Sequence, residues 1–464
     1  MGKRSVGRSP RRRSSILRAG AIWVALSIAL PAAPVSADLS PADLGLSGAL
    51  ALDYFSSNHD LDDRHHFPGL NLTLEHRQRL ARGLRWYGEL RVLAQQVGHE
   101  HEDADHWSSR ALRYEDEVTV ELREGYVELA RETWEIRLGR QMIVWGRADE
   151  INPTDVITPK NFRLLLPEGQ ADQRFGVTAM QLDYFLTPGL RLNGVWVPIF
   201  APTDIPLAAP PGAKLESQPP PISMEQGSAG FKIDRSGGRI DASLSYFYGF
   251  NLLPEARVLT ASADPTTGAL QADIALRHSR QHMIGGDFAT SSGRFSFRGE
   301  AAYVHTDNPN GRRLDAITPY FFYVLGVERS FAGDLSLIIQ YVGRYVVDRI
   351  DPDRALTDPD PAQGFARFAA ARETATINQQ LDTVQNGWSL RLAKQFWNQT
   401  LHCELLGVHY FERNDFFLRP KLTYAITDGW QATIGAEIFH GPTHSFFGRV
   451  EDNTGAFTEL KYSF

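Results

Sequence analysis

The chain contains the stretch Trp134-Glu-Ile-Arg-Leu-Gly-Arg-Gln-Met-Ile-Val-Trp-Gly146, in which apolar and polar residues alternate. This alternation is typical of a β-strand with two different faces and predicts a strand over 134–146. A polar connection over 147–176 follows. Loops longer than about 12–15 residues are uncommon in compact soluble domains. They are normal in outer-membrane β-barrels, which have large outer loops, so the stretch predicts a membrane barrel.

The same alternation recurs along the chain and predicts about 18 strands, a number typical of outer-membrane barrels; 16 strands also fit. The predicted strands span 45–55, 69–78, 84–94, 118–129, 134–146, 177–186, 190–200, 228–234, 239–250, 281–290, 294–305, 319–329, 335–346, 388–396, 401–412, 416–426, 430–441 and 456–464.

The connections between these strands alternate between long and short. Short ones such as Thr187-Pro188-Gly189 and Thr427-Asp428-Gly429 have the composition of tight hairpin turns. Only Arg413-Asn414 interrupts the alternation. The pattern predicts an all-β, transmembrane, antiparallel up-and-down barrel with short periplasmic turns and long extracellular loops.

The N-terminus has the pattern of a secretory signal. A basic region precedes the apolar stretch 21–30, and Val35-Ser36-Ala37 matches a signal-peptidase site. The apolar stretch is shorter than the ~20 residues of a membrane-spanning helix. We therefore expect a cleaved signal peptide over 1–37 and one barrel domain over 38–464.

Composition excludes several classes of function. The net charge of -7 argues against nucleic-acid binding, and the single cysteine, Cys403, excludes an internal disulfide and cysteine-based metal sites. No catalytic or nucleotide-binding motif is present, so we expect no enzyme and no cofactor. The run His99–His106 has metal-ligand residue types, but we expect it to be a solvated acidic loop.

The last strand alternates apolar and polar residues and ends on an aromatic residue, Phe464. This ending resembles the signal by which the barrel-assembly machinery recognises outer-membrane barrels. We therefore expect that machinery as a partner, and membrane lipid and lipopolysaccharide as the surroundings.

The cost of placing a charge in lipid, roughly 2–4 kcal/mol for Arg or Lys at the midplane, assigns the strand faces. It places Trp388, Leu390 and Leu392 towards lipid and Arg391 inside. Charged residues in the inward phase either line a pore or pair with each other and fill it. The pore-lining candidates are Glu75, Arg77, Arg85, Glu89, Arg91, Arg137, Asp183, Arg191, Arg298, Glu300, Arg344, Arg391, Glu404, Arg419, Lys421 and Glu437.

The connection 147–176 is the candidate constriction loop. Thr158-Pro159 predicts a short helix through Leu166, and the apolar run Leu164–Leu166 favours a loop folded into the barrel. An external loop whose leucines pack on neighbouring loops is the alternative. A second helix, in a lumen or cap element, is expected within 364–382. The constriction candidates are Arg147, Asp149, Glu150, Asn152, Asp155, Lys160, Arg163 and Arg174.

Gly139-Arg140-Gln141, then Trp145-Gly146, then Asn152-Pro153-Thr154-Asp155 resembles the pattern of a mostly uncharacterised porin-like family of Gram-negative outer membranes. The Gly-Arg-Gln part is distantly similar to the alginate-export barrel. The resemblance implies a monomeric or trimeric channel. Strict alternation places Arg140 towards lipid, so we expect either a bulge at Gly139 or a rim position for Arg140.

These features predict a porin-like channel for small polar or anionic solutes. Two alternatives stay open. One is an exporter of an exopolysaccharide or lipid that works with periplasmic partners. The other is a non-conducting structural barrel or surface receptor.

Overall fold

The structure is a computed structural model that describes residues 45–57, 66–95, 112–114, 118–162, 174–205, 207 and 209–464. The predicted signal peptide, the run His99–His106, Arg163 and the run Leu164–Leu166 lie outside the described residues.

The chain forms a closed antiparallel barrel of 18 strands, in which the first strand pairs with the last. Closure satisfies the backbone hydrogen bonds that an open sheet edge would leave unpaired in lipid. Its strands are β1 (Leu46–Ser57), β2 (His66–Ala81), β3 (Leu84–Gln95), β5 (Val118–Ala130), β6 (Trp134–Gln141), β7 (Val177–Thr187), β8 (Leu190–Val197), β10 (Ser228–Arg235), β11 (Ile240–Phe250), β14 (Arg280–Ser292), β15 (Phe295–Thr306), β16 (Tyr320–Phe331), β17 (Leu335–Val346), β18 (Val384–Phe396), β19 (Leu401–Tyr410), β20 (Asp415–Ala425), β21 (Trp430–His440) and β22 (Gly455–Ser463).

Within the described residues, four further strands belong to the connections. The short strand β4 (Leu112–Tyr114) pairs with β5. A separate sheet contains β9 (Ala213–Ser217), β12 (Glu255–Ala263) and β13 (Leu270–Arg277). The helix α1 (Pro361–Ile377) packs on this sheet, and 3-10 turns span Met224–Gln226, Pro352–Thr357 and Gly448–Asn453. The predicted helix within 364–382 is therefore confirmed, whereas the small sheet was not predicted.

Exposed apolar side chains cover one face of the barrel strands, including Leu52, Leu325 and Ile434. The other face of each strand turns into the closed barrel. An apolar outer surface on a closed barrel is the architecture of outer-membrane proteins, and this chain has that architecture. No helix within the described ranges is long and apolar enough to cross a membrane.

Two local predictions are wrong. The strand predicted over 134–146 ends at Gln141, and the chain then leaves the barrel wall. The helix predicted from Thr158 does not begin there. Lys160 and Asn161 form extended bridges, and the Thr158 hydroxyl bonds to the backbone of Ile143 instead of capping a helix.

Arg140 is partly buried near Glu121 rather than fully exposed to lipid. Gly139 before it has a φ of 131°, where glycine is favoured. The pairing of β5 with β6 continues without a register shift through Arg140, so the local change is in backbone conformation and not in strand register.

Candidate functional site

After β6, residues 142–146 lead into the candidate constriction segment 147–176, and this part of the chain begins in an apolar cluster. Ile143, Trp145 and Ile157 are buried with residues of the neighbouring strands, among them Val177, Val195, Phe247 and Met283. The Trp145 ring meets Phe247 edge-on, and its indole N–H donates to Asn193 of β8 at 3.2 Å. This packing fixes where the segment leaves the wall.

Glu300 of β15 is the centre around which the segment folds. Its carboxylate accepts hydrogen bonds from the backbone N–H groups of Arg147, Ala148 and Thr154 at 3.0, 3.1 and 2.7 Å. The Thr154 hydroxyl donates at 2.8 Å and the Asn152 amide at 3.4 Å. Glu300 is only 3% exposed. Donors from the segment therefore satisfy a buried carboxylate that would otherwise be costly.

The local geometry explains why residue 146 is a glycine. Gly146 has a φ of 101°, and a Cβ atom at this position would overlap the Glu300 carboxylate. Only glycine allows both this backbone conformation and the close approach of the acid.

Arg147 binds the wall beside Glu300. Its guanidinium forms ion pairs with Asp234 of β10, at 2.7 Å, and with Asp287 of β14. Lys232 also lies 3.5 Å from Asp287 and 3.6 Å from Asp234. Arg191 also lies 3.4 Å from Asp234, so three bases surround the two acids.

The segment then reaches the far side of the barrel. The backbone of Asp149 accepts from and donates to the side-chain amide of Gln340 on β17, at 2.7 and 2.9 Å. The Asp149 carboxylate lies 3.5 Å from Arg391 on β18. Because β6 is the fifth and β18 the fourteenth barrel strand in chain order, nine strand steps separate them either way around the 18-strand wall. The segment therefore connects opposite walls.

The return path is held by another ion pair. Asp155 lies 2.6 Å from Arg174 and 3.9 Å from the Lys160 ammonium group. The constriction candidates Arg147, Asp149, Asn152, Asp155, Lys160 and Arg174 thus take part in a connected set of contacts, and Glu150 lies beside Asp149 with a φ of 63°.

Most predicted pore-lining residues pair with a residue of opposite charge. The pairs are Arg77 with Glu75, Arg85 and Arg137 with Glu128, Arg123 with Glu89, Arg191 with Asp183, Arg298 with Glu328, Arg391 and Lys421 with Glu404, and Arg419 with Glu437. Arg91 bonds to the Asn71 amide, and Arg344 donates to the carbonyl of Asn378. The inward charges were expected either to line a pore or to pair with each other, and pairing is extensive.

A cap of secondary structure lies at the long-loop end. Ala366 and Ala370 of α1 pack on Ala256 and Ile274 of the small sheet, and Arg449 pairs with Glu373 near the C-terminal end of the helix. The cap therefore joins three long connections, 198–227, 251–279 and 347–383, to the last one, 441–454.

Glu255 sits in a buried polar network beneath this cap. It accepts from the Ser279 hydroxyl and from the Asn251 amide, and Asn251 also bonds to Asn378 after α1. Burial raises the pKa of Glu255 to about 7, partly offset by these hydrogen bonds.

Several residues that hold the segment or pair with lumen arginines were not predicted from the sequence. Gln340, Asn193, Asp234 and Asp287 hold the segment, and Glu128 pairs with two arginines. Alternation alone could have placed Asp287 and Glu128 in the inward phase of their strands. Alternation also places Gln340 in the inward phase, but the sequence does not indicate its partner, which is the backbone of a residue 191 positions earlier in the chain.

No protein-family model and no curated protein sequence matches this chain. Solved structures do match. OccK8 (OprE) of Pseudomonas aeruginosa is 12% identical, with 90% of this chain and 97% of that chain covered at a TM-score of 0.51. OccAB1 of Acinetobacter baumannii is 8% identical, with 90% and 96% covered at a TM-score of 0.50. At these identities the likeness concerns the fold. The motif resemblance and the similarity to the alginate-export barrel stay predictions. The chain has the barrel fold of these proteins.

Proposed function

We propose that this protein is a passive outer-membrane channel for small polar solutes, anions included, and that the segment 147–176 narrows it. The observation that carries the proposal is the path of the segment from β6 to Arg391 on the opposite wall. Barrels of this strand number are wide enough for an aqueous passage unless something fills them.

The passage runs along one side of the segment. On the side of β7, β8, β11, β14 and β15, the apolar cluster around Trp145 and Met283 closes the space. The opposite wall carries charged residues of β3, β5 and β19–β21, among them Arg91, Glu404 and Lys421. A solute therefore meets a polar surface of both signs, as selective pores present.

Anionic solutes are favoured by the exposure of the paired charges. In the pairs Arg85–Glu128, Arg191–Asp183 and Arg391–Glu404 the bases are 59, 41 and 35% exposed at the side chain, whereas the acids are 7, 6 and 4% exposed. Each acid lies behind its base, so a solute meets the cation first. The acids keep the bases ordered, and the fixed cations attract anions.

Planar-bilayer recording of the purified full-length protein tests the proposal. We expect stepwise conductance and, in a KCl gradient, a reversal potential that indicates anion preference. Cation preference would contradict the solute class while leaving a channel. Absence of conductance both from the intact protein and from a variant without 147–176 would contradict the channel itself and favour a non-conducting barrel.

A further inference from the structure

Two cations lie on the lipid-facing surface at the short-turn end of the barrel. Arg329 of β16 follows Glu328, which points inward and pairs with Arg298, so Arg329 has the opposite phase. Lys394 of β18 is in phase with the exposed Trp388. Strand pairing places Arg329 beside Phe295 and Leu337, and Lys394 beside Leu335 and Cys403.

Both cations lie against aromatic rings. The Arg329 guanidinium lies 4.8 Å from the ring centre of Phe295 and 4.6 Å from that of Phe331. The Lys394 ammonium lies 4.6 Å from the ring centre of Phe396. Such contacts orient a cation at a membrane interface while its aliphatic stem stays in the apolar zone.

Neither cation has a counter-charge within the described part of the chain. No salt bridge joins Arg329 or Lys394 to a described carboxylate, and the buried Nε atom of Arg329 has no hydrogen-bond partner. The inward-facing bases of the same hairpins do have a counter-charge. Arg298 bonds to Glu328 at 2.5 Å, and Arg391 bonds to Glu404 at 2.7 Å. The outward pair is therefore a fixed positive surface without a counter-charge among the described residues.

We propose that Arg329 and Lys394 bind the phosphate of an anionic glycerophospholipid in the leaflet at the short-turn end. The phosphate supplies the negative charge that the two cations lack among the described residues. Leu335 and Leu337, which lie between the two cations in the pairing, offer an apolar surface to the acyl chains. This proposal rests on the membrane position of the barrel and is independent of conductance.

Native mass spectrometry of the full-length protein, released from nanodiscs of phosphatidylglycerol and phosphatidylcholine, tests the site. The double variant Arg329→Met, Lys394→Met removes both charges and keeps apolar bulk. We expect wild-type protein to retain phosphatidylglycerol preferentially, and the double variant to retain it about thirtyfold less tightly, since each of the two basic residues contributes about 1 kcal/mol at such a surface.

Two further variants complete the test. Arg131→Met is the matched control, because Arg131 lies over Trp134 at the same end but already donates to the carbonyls of Ala130 and Arg82; we expect wild-type retention. Arg329→Lys alone retains the charge and should retain the preference. Equal retention of both lipids by wild-type protein, or unchanged retention by the double variant, would overturn the proposal. Loss of bound lipid to millimolar inorganic phosphate would instead indicate a site for free phosphate.

Discussion

Thr154 donates both its backbone N–H and its hydroxyl to the same carboxylate oxygen of Glu300, at 2.7 and 2.8 Å. The other oxygen accepts from the backbone of Arg147 and Ala148. The buried side chain of Glu300 on β15 thus holds both ends of the stretch 147–154. The Trp-Gly and Asn-Pro-Thr-Asp parts of the sequence motif therefore have a shared structural purpose.

Substituting Glu300→Gln should release this part of the segment. Glutamine keeps the size of the side chain but offers one acceptor oxygen and brings two N–H donors against the donors of the segment. We expect a loss of roughly 2–4 kcal/mol in the free energy of unfolding, because a charged, buried hydrogen-bond acceptor is removed. Urea titration followed by semi-native electrophoresis measures this change.

Glu328→Gln is the matched control. Glu328 pairs with Arg298 at a more exposed position of the next strand. Screened pairs contribute at most about 1 kcal/mol. Equal losses of stability in the two variants would show that Glu300 has no special part in holding the segment.

Gly146→Ala should be more destabilising than Gly237→Ala. Both glycines have positive φ, 101° and 80°, but nothing lies within 4 Å of a Cβ atom at Gly237, whereas Glu300 occupies that space at Gly146. The Gly237 variant therefore measures the conformational cost alone, about 1 kcal/mol. The same electrophoretic titration compares them, and a Gly146 variant as stable as the Gly237 variant would contradict the close contact with Glu300.

Arg147→Met should shift ion selectivity towards cations. Removing this base leaves Asp234 and Asp287 with Lys232 and Arg191 as the remaining partners. The lumen loses one positive charge beside the segment, so anions are attracted less. The reversal potential in a KCl gradient measures the effect.

Arg312→Met serves as the control for Arg147. It removes the same charge from an exposed site in the connection between β15 and β16. An equal shift in both variants would mean that net charge, and not the lumen position of Arg147, sets the selectivity.

The cap should loosen as the pH rises. Glu255 has its folded-state pKa near 7, above the usual value of 4.5. Its contribution to stability is therefore complete below about pH 4.5 and is lost as the pH rises through about 7. We expect proteolysis within 251–279 to be faster relative to a reference substrate at pH 8 than at pH 5.

Glu255→Gln should remove this pH dependence, since the amide stays neutral. Glu216→Gln, an exposed position on β9 of the same small sheet, should leave it unchanged. A pH dependence that persists in the Glu255 variant would assign it to another group.

Alternation in the sequence predicted the barrel because lipid and lumen impose a period of two on every strand. The same rule misplaced the end of β6. Ile143 and Trp145 continue the alternation, yet they pack on Val177 and Met283 in a cluster formed by distant strands. Alternation also placed Glu300 inside the barrel, but not its contacts with Thr154, which lies 146 residues away in the chain.

The small sheet shows the same limit. Strands β9, β12 and β13 lie in connections, and the parallel pairing of β9 with β13 depends on residues about 60 positions apart. In contrast, α1 could be predicted from local composition, and Asp360 caps its first turn by accepting from Ala362 and Gln363.

The single-channel conductance of the intact protein, compared with a variant lacking 147–176, tests the central claim most directly. If the segment narrows the passage, the variant should show a severalfold larger unitary conductance and weaker selectivity. Equal unitary conductance in the two proteins would contradict the account, because a segment that joins opposite walls of the barrel could not then limit the flow.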